Sequence, residues 1–288
     1  MFSARPIDHL VLATHDLDGA GRFYENLGFK VGVRNRHPWG TENRIVQFPG
    51  AFLELITVGE GADIPEHAAG RFSFGAFVRD YLKAREGFAM LVLESKDAKS
   101  DKAAFDNAGI GGFEPFFFGR KGVRPDGSPV EVSFTLAFAR DELAKQCGFF
   151  VCQQHRPENF WNPLAQQHPN GAVALAGVCM LAEEPSDHAE FMRAFTGIDE
   201  FSATSAGLRF ETPRGEIDVL SDTAFAFEYG LRLEVNQPRL AAFSIQVTDL
   251  NALVSRLSSQ NIPHNVYKGC VLVAPSDAFG VAVRFIQS

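Results

Sequence analysis

The feature that most constrains this chain is a strand-then-helix unit that begins four times along its 288 residues. In the first unit the apolar stretch IDHLVLATHD ends in Asp16 and is followed by apolar residues at helical spacing. The stretch MLVLESKD, residues 90–97, matches residues 9–16 at three apolar positions and at the closing aspartate. Further starts are GVCMLAEE, residues 177–184, and AFSIQVTD, residues 242–249. Such repetition indicates a fold assembled from copies of one unit.

Each start is followed by stretches that are typical of β-strands. In the first unit these stretches are FKVGVRNRH, TENRIVQFPG and AFLELITVG. The order of elements is therefore β-α-β-β-β, and four such modules account for essentially the whole chain. We expect an α+β fold built from four βαβββ modules.

A polar stretch separates the second module from the third. Residues 157–172, PENFWNPLAQQHPNGA, are rich in Pro, Asn and Gly, a composition typical of a linker. We therefore expect two domains, residues 1–160 and residues 171–288, each made of two modules.

Composition restricts the classes of partner. The chain is 45% apolar and 22% charged, which is ordinary for a globular protein. Its net charge is −8 and it has no basic run, so we expect neither nucleic acid nor a membrane as a partner. The N-terminus lacks a signal-peptide pattern, and no apolar run approaches the ~18–20 residues of a membrane span. We expect a cytoplasmic protein with a small-molecule substrate, whose C-terminal half covers the first barrel or forms a homodimer contact.

The modules resemble a known superfamily. Paired βαβββ modules that open with IDHLVLATHDLD and carry FLELI on the fourth strand resemble the vicinal oxygen chelate superfamily. Its members include glyoxalase I, extradiol ring-cleaving dioxygenases and bleomycin-resistance proteins. The stretch QHRPENFWNPLAQQHPNGA resembles a segment of the glyoxalase-like domain group. The resemblance implies half-open barrels of mixed β-sheet, two in this chain, and a divalent metal (Fe²⁺, Mn²⁺, Zn²⁺ or Ni²⁺) in the concave face.

In that superfamily the metal ligands come from the first and fourth strands of each module. The first-strand position is occupied, in module order, by His9, Met90, Gly177 and Ala242. A thioether is a poor ligand for a hard cation, and Gly and Ala offer no side-chain donor. The fourth strands offer Glu54 in the first module, then Gln153, Gln154 or His155, Asp218 and Arg284. An arginine is a permanent cation and would repel the metal, so the C-terminal half is expected to be scaffold.

The N-terminal half is therefore the expected site, with His9, Glu54 and His155 as metal ligands. Two imidazoles and one carboxylate leave coordination positions open for a substrate, and Glu54 is also the candidate catalytic residue. Strand alternation places Phe52, Glu54 and Ile56 on one face. Each ligand also has another interpretation. His9 would instead be a hydrogen-bonded core residue, and Glu54 would form an ion pair with Arg34 or Arg44. His155 would cap a turn, or Gln154 would take its place as the third ligand.

An aromatic cluster indicates the kind of ligand. In FEPFFFGRK, Phe116 and Phe118 lie on one face of a strand and Phe117 on the other, with Arg120 close by. Together with Trp39 and Met90, these side chains predict a wall for a planar ligand that carries negative charge. His37, in the HPWG turn, is placed to reach the pocket mouth. The alternative is a set of core phenylalanines followed by a solvated basic loop.

These features give two hypotheses for function. The first is a metal-dependent, glyoxalase-like enzyme of the lyase or dioxygenase type, acting on a small aromatic or oxygen-chelating substrate with the metal as Lewis acid. The second is a metal-free binding or sequestering protein of the bleomycin-resistance type. Convergence of His9, Glu54 and His155 in one cavity favours the enzyme, whereas an arginine ion pair on Glu54 favours the binding protein.

Overall fold

The computed structural model describes residues 3–123 and 128–288. It shows an α+β fold in which two eight-stranded mixed sheets are each built from two consecutive βαβββ modules. The predicted fold class and the count of four modules are therefore confirmed. In the described part of the chain, no helix has the length and apolar character needed to cross a membrane.

The first sheet contains the first two modules. The first module comprises β1 (Ile7–Ala13), α1 (Leu17–Asn26), β2 (Asn35–Arg36), β3 (Thr41–Phe48) and β4 (Ala51–Val58). After helix α2 (Phe74–Ala84), the second comprises β5 (Gly87–Glu94), α3 (Ala98–Asn107), β6 (Phe116–Val123), β7 (Pro129–Ala139) and β8 (Gly148–Gln154). The strand order β2-β3-β4-β1-β5-β8-β7-β6 puts the two first strands, β1 and β5, side by side at the centre.

The second sheet repeats this plan after the short helix α4 (Pro157–Phe160). Its third module comprises β9 (Ala172–Leu181), a 3₁₀ turn (Pro185–His188), α5 (Ala189–Thr196), β10 (Ser202–Thr204), β11 (Gly207–Glu211) and β12 (Glu216–Leu220). Helix α6 (Asp222–Tyr229) leads to β13 (Arg239–Val247), α7 (Leu250–Ser259), β14 (Asn265–Tyr267), β15 (Cys270–Val273) and β16 (Ala282–Gln287). The strand order β10-β11-β12-β9-β13-β16-β15-β14 matches that of the first sheet.

Helices α2 and α6, which join successive modules, were not anticipated from the repeat. Both lie between copies of the repeating unit, so comparison of the units with one another does not reveal them. The stretch FGAFVRDYLKA does carry a helical signal, because its apolar residues recur at helical spacing and Ser73 caps its first turn. Helix α2 packs on the face of the first sheet that also holds the candidate site.

In three of the four modules, the aspartate that closes the repeat start is a helix N-cap. Asp16 accepts a hydrogen bond from the backbone of Gly19 at the start of α1. Asp97 and Asp249 accept two backbone hydrogen bonds each at the starts of α3 and α7. Glu184 stands in this place in the third module, makes no side-chain cap, and is followed by a 3₁₀ turn. The repeat is therefore visible in sequence because it marks where each helix must begin.

These caps predict a specific loss of stability. We expect Asp249→Ala to lower the free energy of unfolding by about 1 kcal/mol, because two amides of α7 lose their acceptor. Urea unfolding followed by circular dichroism measures the change. Asp249→Asn retains an acceptor and should stay near wild type, and Glu184→Ala is the matched control at an uncapped position. Equal losses in Asp249→Ala and Glu184→Ala would contradict the capping role.

The polar stretch between the sheets is bound to the first module. His168 accepts a hydrogen bond from the backbone N–H of Lys30 and donates through Nε2 to the carbonyl of Gln47, at 3.0 and 2.9 Å. Asn170 donates to the carbonyl of Leu27 at 3.0 Å. The segment therefore connects the two sheets and supplies hydrogen-bond partners for backbone groups of the first module.

Candidate functional site

A cavity of about 90 Å³ opens on the α2 face of the first sheet. Its walls are mainly aromatic, formed by Trp39, Phe52, Phe74, Phe118, Phe134, Phe150 and Phe160. The polar and charged lining is confined to Arg36, His37, Asn43, Glu54, Arg120 and His9. A small, mostly apolar cavity with a few converging polar groups is typical of a small-molecule site.

His9 lies on the central strand β1 and is almost fully buried. Its Nδ1 donates to Oδ1 of Asp8 at 2.5 Å, and its ring stacks on Phe52 with centroids 4.2 Å apart. The parallel pairing of β1 with β4 sets His9 directly beside Phe52, and this pairing holds the ring in place. Because Nδ1 is hydrogen-bonded to Asp8, Nε2 is the ring nitrogen that is free to accept a proton. Nε2 lies 3.9 Å from Oε2 of Glu54.

Glu54 is buried on β4 and points into the cavity. The expected alternation on this strand is observed: Phe52 and Glu54 line the cavity, while Leu53 and Leu55 face the opposite core. Its Oε1 accepts a hydrogen bond from Nδ2 of Asn43 at 2.5 Å. Within the described ranges, no Lys or Arg forms an ion pair with it.

The arginines considered as partners of Glu54 are paired elsewhere. Arg34 binds Glu42 and Asp18, and Arg44 lies within 3.6 Å of Asp18 and Glu25. Glu54 is thus a buried carboxylate that is hydrogen-bonded by an amide and lies near two imidazoles, without a guanidinium partner.

His37 is the second imidazole at this carboxylate. Its ring stacks on Trp39 with centroids 4.5 Å apart, Nδ1 lies 2.8 Å from Oγ1 of Thr41, and Nε2 lies 3.8 Å from Oε1 of Glu54. Burial lowers the pKa of His37; the charge of Glu54 raises it and that of Arg120 lowers it. The neutral ring donates through Nδ1 to Thr41, and its Nε2 accepts from Nδ2 of Asn43 at 3.3 Å.

The opposing effects on His37 can be separated by substitution. In wild type we expect its pKa below the ordinary value of about 6.5. Glu54→Gln removes a negative charge and should lower this pKa further, whereas Arg120→Met removes a positive charge and should raise it. A pH titration of the His37 ring signals by NMR measures all three. Shifts of the same sign in the two variants would contradict this account.

Two cavity residues carry polar atoms without a partner in the part of the chain that the structure describes. The indole Nε1 of Trp39 is a buried donor, and Oδ1 of Asn43 is a buried acceptor. A buried polar group without a hydrogen bond is costly, so these two atoms are an energetic cost of the aromatic cavity.

Part of the predicted aromatic wall lines the cavity, and two of its members, Phe116 and Met90, do not. Phe118 and Arg120 line the cavity, and Trp39 packs edge-on to Phe118 with centroids 4.8 Å apart. Phe116 lies behind this wall, 5.2 Å from Trp39, and is absent from the lining. Phe117 is 63% exposed, as expected for the opposite face of the strand.

His155, expected as the third ligand, does not lie in this cavity. Its Nε2 is 2.7 Å from Oγ1 of Thr135, and its ring lies 5.9 Å from exposed Phe117. Since Phe134 and Leu136 line the cavity, the intervening Thr135 must point to the other face of the sheet. His155 follows the end of β8 and is exposed on that opposite face.

Gln154 and Met90 also have other positions than expected. Gln154 donates from Nε2 to Oδ2 of Asp8 at 2.9 Å, so it supports His9 from behind instead of touching a substrate. Met90 is fully buried in the core between the sheet and α2, where it packs against Gly148. Neither residue lines the cavity.

Sequence reasoning missed Asp8 and Asn43. Both are buried polar residues, Asp8 on β1 and Asn43 on β3. A signal for Asp8 was present, because two consecutive polar residues in the central strand IDHLVLA both need partners and can bond each other. Asn43 carried no comparable signal, because its partners come from β4 and from the turn that precedes β3.

The donor set does not fit the three-ligand metal centre that the resemblance implied. His9 and Glu54 supply two donors, and the third nearby donor atom, Nε2 of His37, accepts from the same Asn43 amide that binds Glu54. In the second module, Met90 stands where the first module has His9, and it is paired with Gly148 on β8. Phe150, also on β8, lines the cavity. Within residues 3–123 and 128–288, no three His, Cys, Asp or Glu side chains are grouped to hold a metal ion.

On the corresponding face of the second sheet, the charged and aromatic side chains bind one another. Arg209 binds Asp218 through two hydrogen bonds of 2.7 and 3.0 Å, which removes the candidate ligand of that half. Phe225 and Tyr229 of α6 are buried and stacked there. Arg284 donates to Ser244 at 2.9 Å and lies over the Tyr229 ring.

Fold and cavity together define a protein of paired βαβββ modules whose first sheet carries an aromatic cavity. The family model described as "Glyoxalase-like domain" matches residues 7–196, and the chain therefore belongs to this glyoxalase-like group of the vicinal oxygen chelate superfamily. The match spans the whole first sheet and the start of the second. No curated protein matches the sequence.

Solved structures share the fold at low sequence identity. A hypothetical protein from Staphylococcus aureus superposes with a TM-score of 0.69 at 12% identity, covering 99% of this chain and 100% of that one. A triple mutant of 4-hydroxymandelate synthase from Streptomyces coelicolor gives 0.57 at 12% identity, covering 99% and 92%. A xylose isomerase-like TIM barrel/4-hydroxyphenylpyruvate dioxygenase fusion protein gives 0.55 at 12% identity, covering 99% and 49%.

Proposed function

We propose that this protein is a glyoxalase-like enzyme that binds a small, planar, oxygen-bearing aromatic substrate and moves a proton on it. His9 is the proposed base and Glu54 its partner. The observation that carries the proposal is the pair formed by Nε2 of His9 and Oε2 of Glu54, 3.9 Å apart in an aromatic cavity. Asp8 holds the other ring nitrogen of His9. Such an arrangement is suited to general acid–base catalysis.

The cavity also supports the proposed substrate class. The ring of an aromatic substrate would pack between Trp39 and the phenylalanines of the wall, and Arg120 would meet negative charge at the mouth.

The proton transfer uses groups of this chain alone. Nε2 of His9 takes a proton from the carbon next to a substrate carbonyl and returns it to a neighbouring carbon or oxygen. The imidazolium formed in between lies beside the carboxylates of Asp8 and Glu54, which stabilise its charge. Cys152 also lines the cavity, but burial raises the pKa of its thiol well above the ordinary range, so it is not the nucleophile.

Proton exchange into a model ketone tests the proposal. We expect the enzyme to accelerate deuterium incorporation at the carbon between the carbonyl and hydroxyl groups of 2-hydroxyacetophenone in D₂O, followed by proton NMR. His9→Gln and Glu54→Gln should each slow exchange by about 100-fold or more. His155→Gln is the matched control, because this histidine lies on the opposite face of the sheet. Saturable binding of the ketone without exchange would indicate the binding or sequestering protein instead.

The metal-dependent hypothesis requires a third donor beside His9 and Glu54, and it makes a different prediction. No group of three metal-binding side chains occurs among the described residues. We therefore expect the protein to retain well below one ion per chain after incubation with Zn²⁺ or Mn²⁺ followed by dialysis. Elemental analysis of protein purified without chelator measures it. One ion per chain, lost in both His9→Ala and Glu54→Gln, would instead support a metal-dependent lyase or dioxygenase.

A further inference from the structure

A second pocket, of about 410 Å³, lies at the end of the first sheet where β7 ends and β8 begins. One side of it is the segment before α2, from His67 to Phe72, and the other is the connection from β7 to β8. Among the described residues, none lines both this pocket and the aromatic cavity. Phe138 lies between them: its ring stacks on Phe72 at 4.2 Å and is 5.3 Å from Phe150 of the cavity wall. The second pocket is therefore a distinct place for a ligand, of a size usual for small-molecule sites.

The second pocket has an aromatic floor. Phe72, Phe77 and Phe113 line it, and each of them is only half-buried. The ring of Phe72 lies 5.5 Å from that of Phe77 and meets the Phe113 ring at a right angle, with centroids 5.7 Å apart. Half-buried rings that contact one another leave apolar surface open to the pocket, and a planar or aliphatic group would cover that surface.

Three cations stand around this floor. Arg71, Arg140 and Lys145 are exposed and line the pocket, together with a single carboxylate, Glu142. Arg140 is paired with Glu142 at 2.5 Å and lies over the Phe113 ring, 5.6 Å from its centroid. Within the described ranges, neither Arg71 nor Lys145 forms an ion pair. The chain as a whole carries a net charge of −8, so this positive pocket is a local reversal of charge that favours an anion.

The backbone that carries these side chains is fixed by hydrogen bonds. Ala68 and Arg71 bond each other in a tight turn, with N–H to carbonyl distances of 3.3 and 2.9 Å. On the other side of the pocket, the N–H of Arg140 donates to the carbonyl of Ile110 at 2.7 Å. Walls that already hold their positions lose less conformational entropy when a ligand binds.

His67 adds a donor whose tautomer is fixed. Its Nδ1 accepts a hydrogen bond from the backbone N–H of Ser73 at 3.1 Å. The neutral ring therefore carries its proton on Nε2, which can donate to an acceptor in the pocket. The ring also meets Phe72 edge-on, with centroids 5.4 Å apart. Apart from the paired Glu142, the polar side chains that line this pocket are thus donors.

We propose that the second pocket binds a small amphipathic carboxylate, which has an aromatic or short aliphatic body and one negative end. The body packs on Phe72, Phe77 and Phe113, and the carboxylate is bound at the rim by Arg71 and Lys145. A carboxylate is preferred to a neutral polar group because hydrogen bonds between ionised partners are the stronger ones. The site does not depend on the proposed reaction, since its lining residues differ from those of the aromatic cavity.

Calorimetric titration of the full chain with 3-phenylpropionate tests this proposal. We expect saturable binding with a dissociation constant of about 1 mM or tighter, and about ten-fold weaker binding of the neutral 3-phenylpropanamide. Arg71→Gln and Lys145→Met should each weaken binding of the carboxylate by about three- to ten-fold, and the double variant should abolish it. Arg22→Gln and Lys99→Met remove exposed charges elsewhere, and these matched controls should bind as wild type does.

Tryptophan fluorescence shows which pocket is occupied. The chain has two tryptophans, and both are at the aromatic cavity: Trp39 lines it, and the Trp161 ring lies 6.0 Å from that of Phe52 in its wall. Binding in the second pocket should leave their emission unchanged. Binding of the probe in the aromatic cavity would change this emission and would be weakened in Arg120→Met, so the titrations are repeated in that variant.

Two results would overturn the proposal. One is the absence of saturable heat when wild type is titrated with 3-phenylpropionate. The other is binding that the double variant of Arg71 and Lys145 retains, whether or not Arg120→Met removes it. Both substituted side chains are exposed, so the variants are expected to fold. Lys145→Arg keeps the charge and should retain most of the affinity, which separates loss of the cation from any change in folding.

Discussion

The site depends on a buried polar pair in the central strand of the first sheet. Asp8 and His9 are consecutive on β1, which is paired on both sides and fully covered. Two polar side chains at such a position must find partners inside the protein. They bond each other, and each then reaches further: Asp8 to Gln154 and His9 toward Glu54. These contacts come from both modules, so the orientation of His9 is a consequence of module pairing.

The same two modules contribute unequally to the cavity. The first supplies its titratable groups, His9, His37 and Glu54, whereas the second supplies phenylalanines and the half-exposed Arg120. Water is thereby excluded from the polar end without a second set of charges opposite it. A carboxylate and an imidazole in low dielectric interact more strongly than in water, which makes their protonation states sensitive to one another.

Much of the fold could be predicted from the sequence because the signals are local. The closing aspartates mark helix starts, and alternation on FLELI correctly separates Phe52 and Glu54 from Leu53 and Leu55. His155 could not be placed this way. It follows the last residue of β8, and whether it faces the cavity depends on the register of β8 against β7, where Gln154 lies opposite Phe134. A shift of one residue moves a side chain to the other face.

Asn43 shows why the chemistry of the site was harder to foresee than its location. Its Nδ2 lies within hydrogen-bond distance of Glu54 and of His37. From the sequence, Glu54 is expected as a metal ligand and His37 as a residue at the mouth of the pocket. An amide donor at that place gives the buried carboxylate a hydrogen-bond partner. Without it, the carboxylate would need a cation as its partner. The neutral amide stabilises Glu54 without neutralising it. In the proposed reaction, the Glu54 carboxylate lies beside His9 and stabilises the imidazolium that forms when His9 takes up a proton.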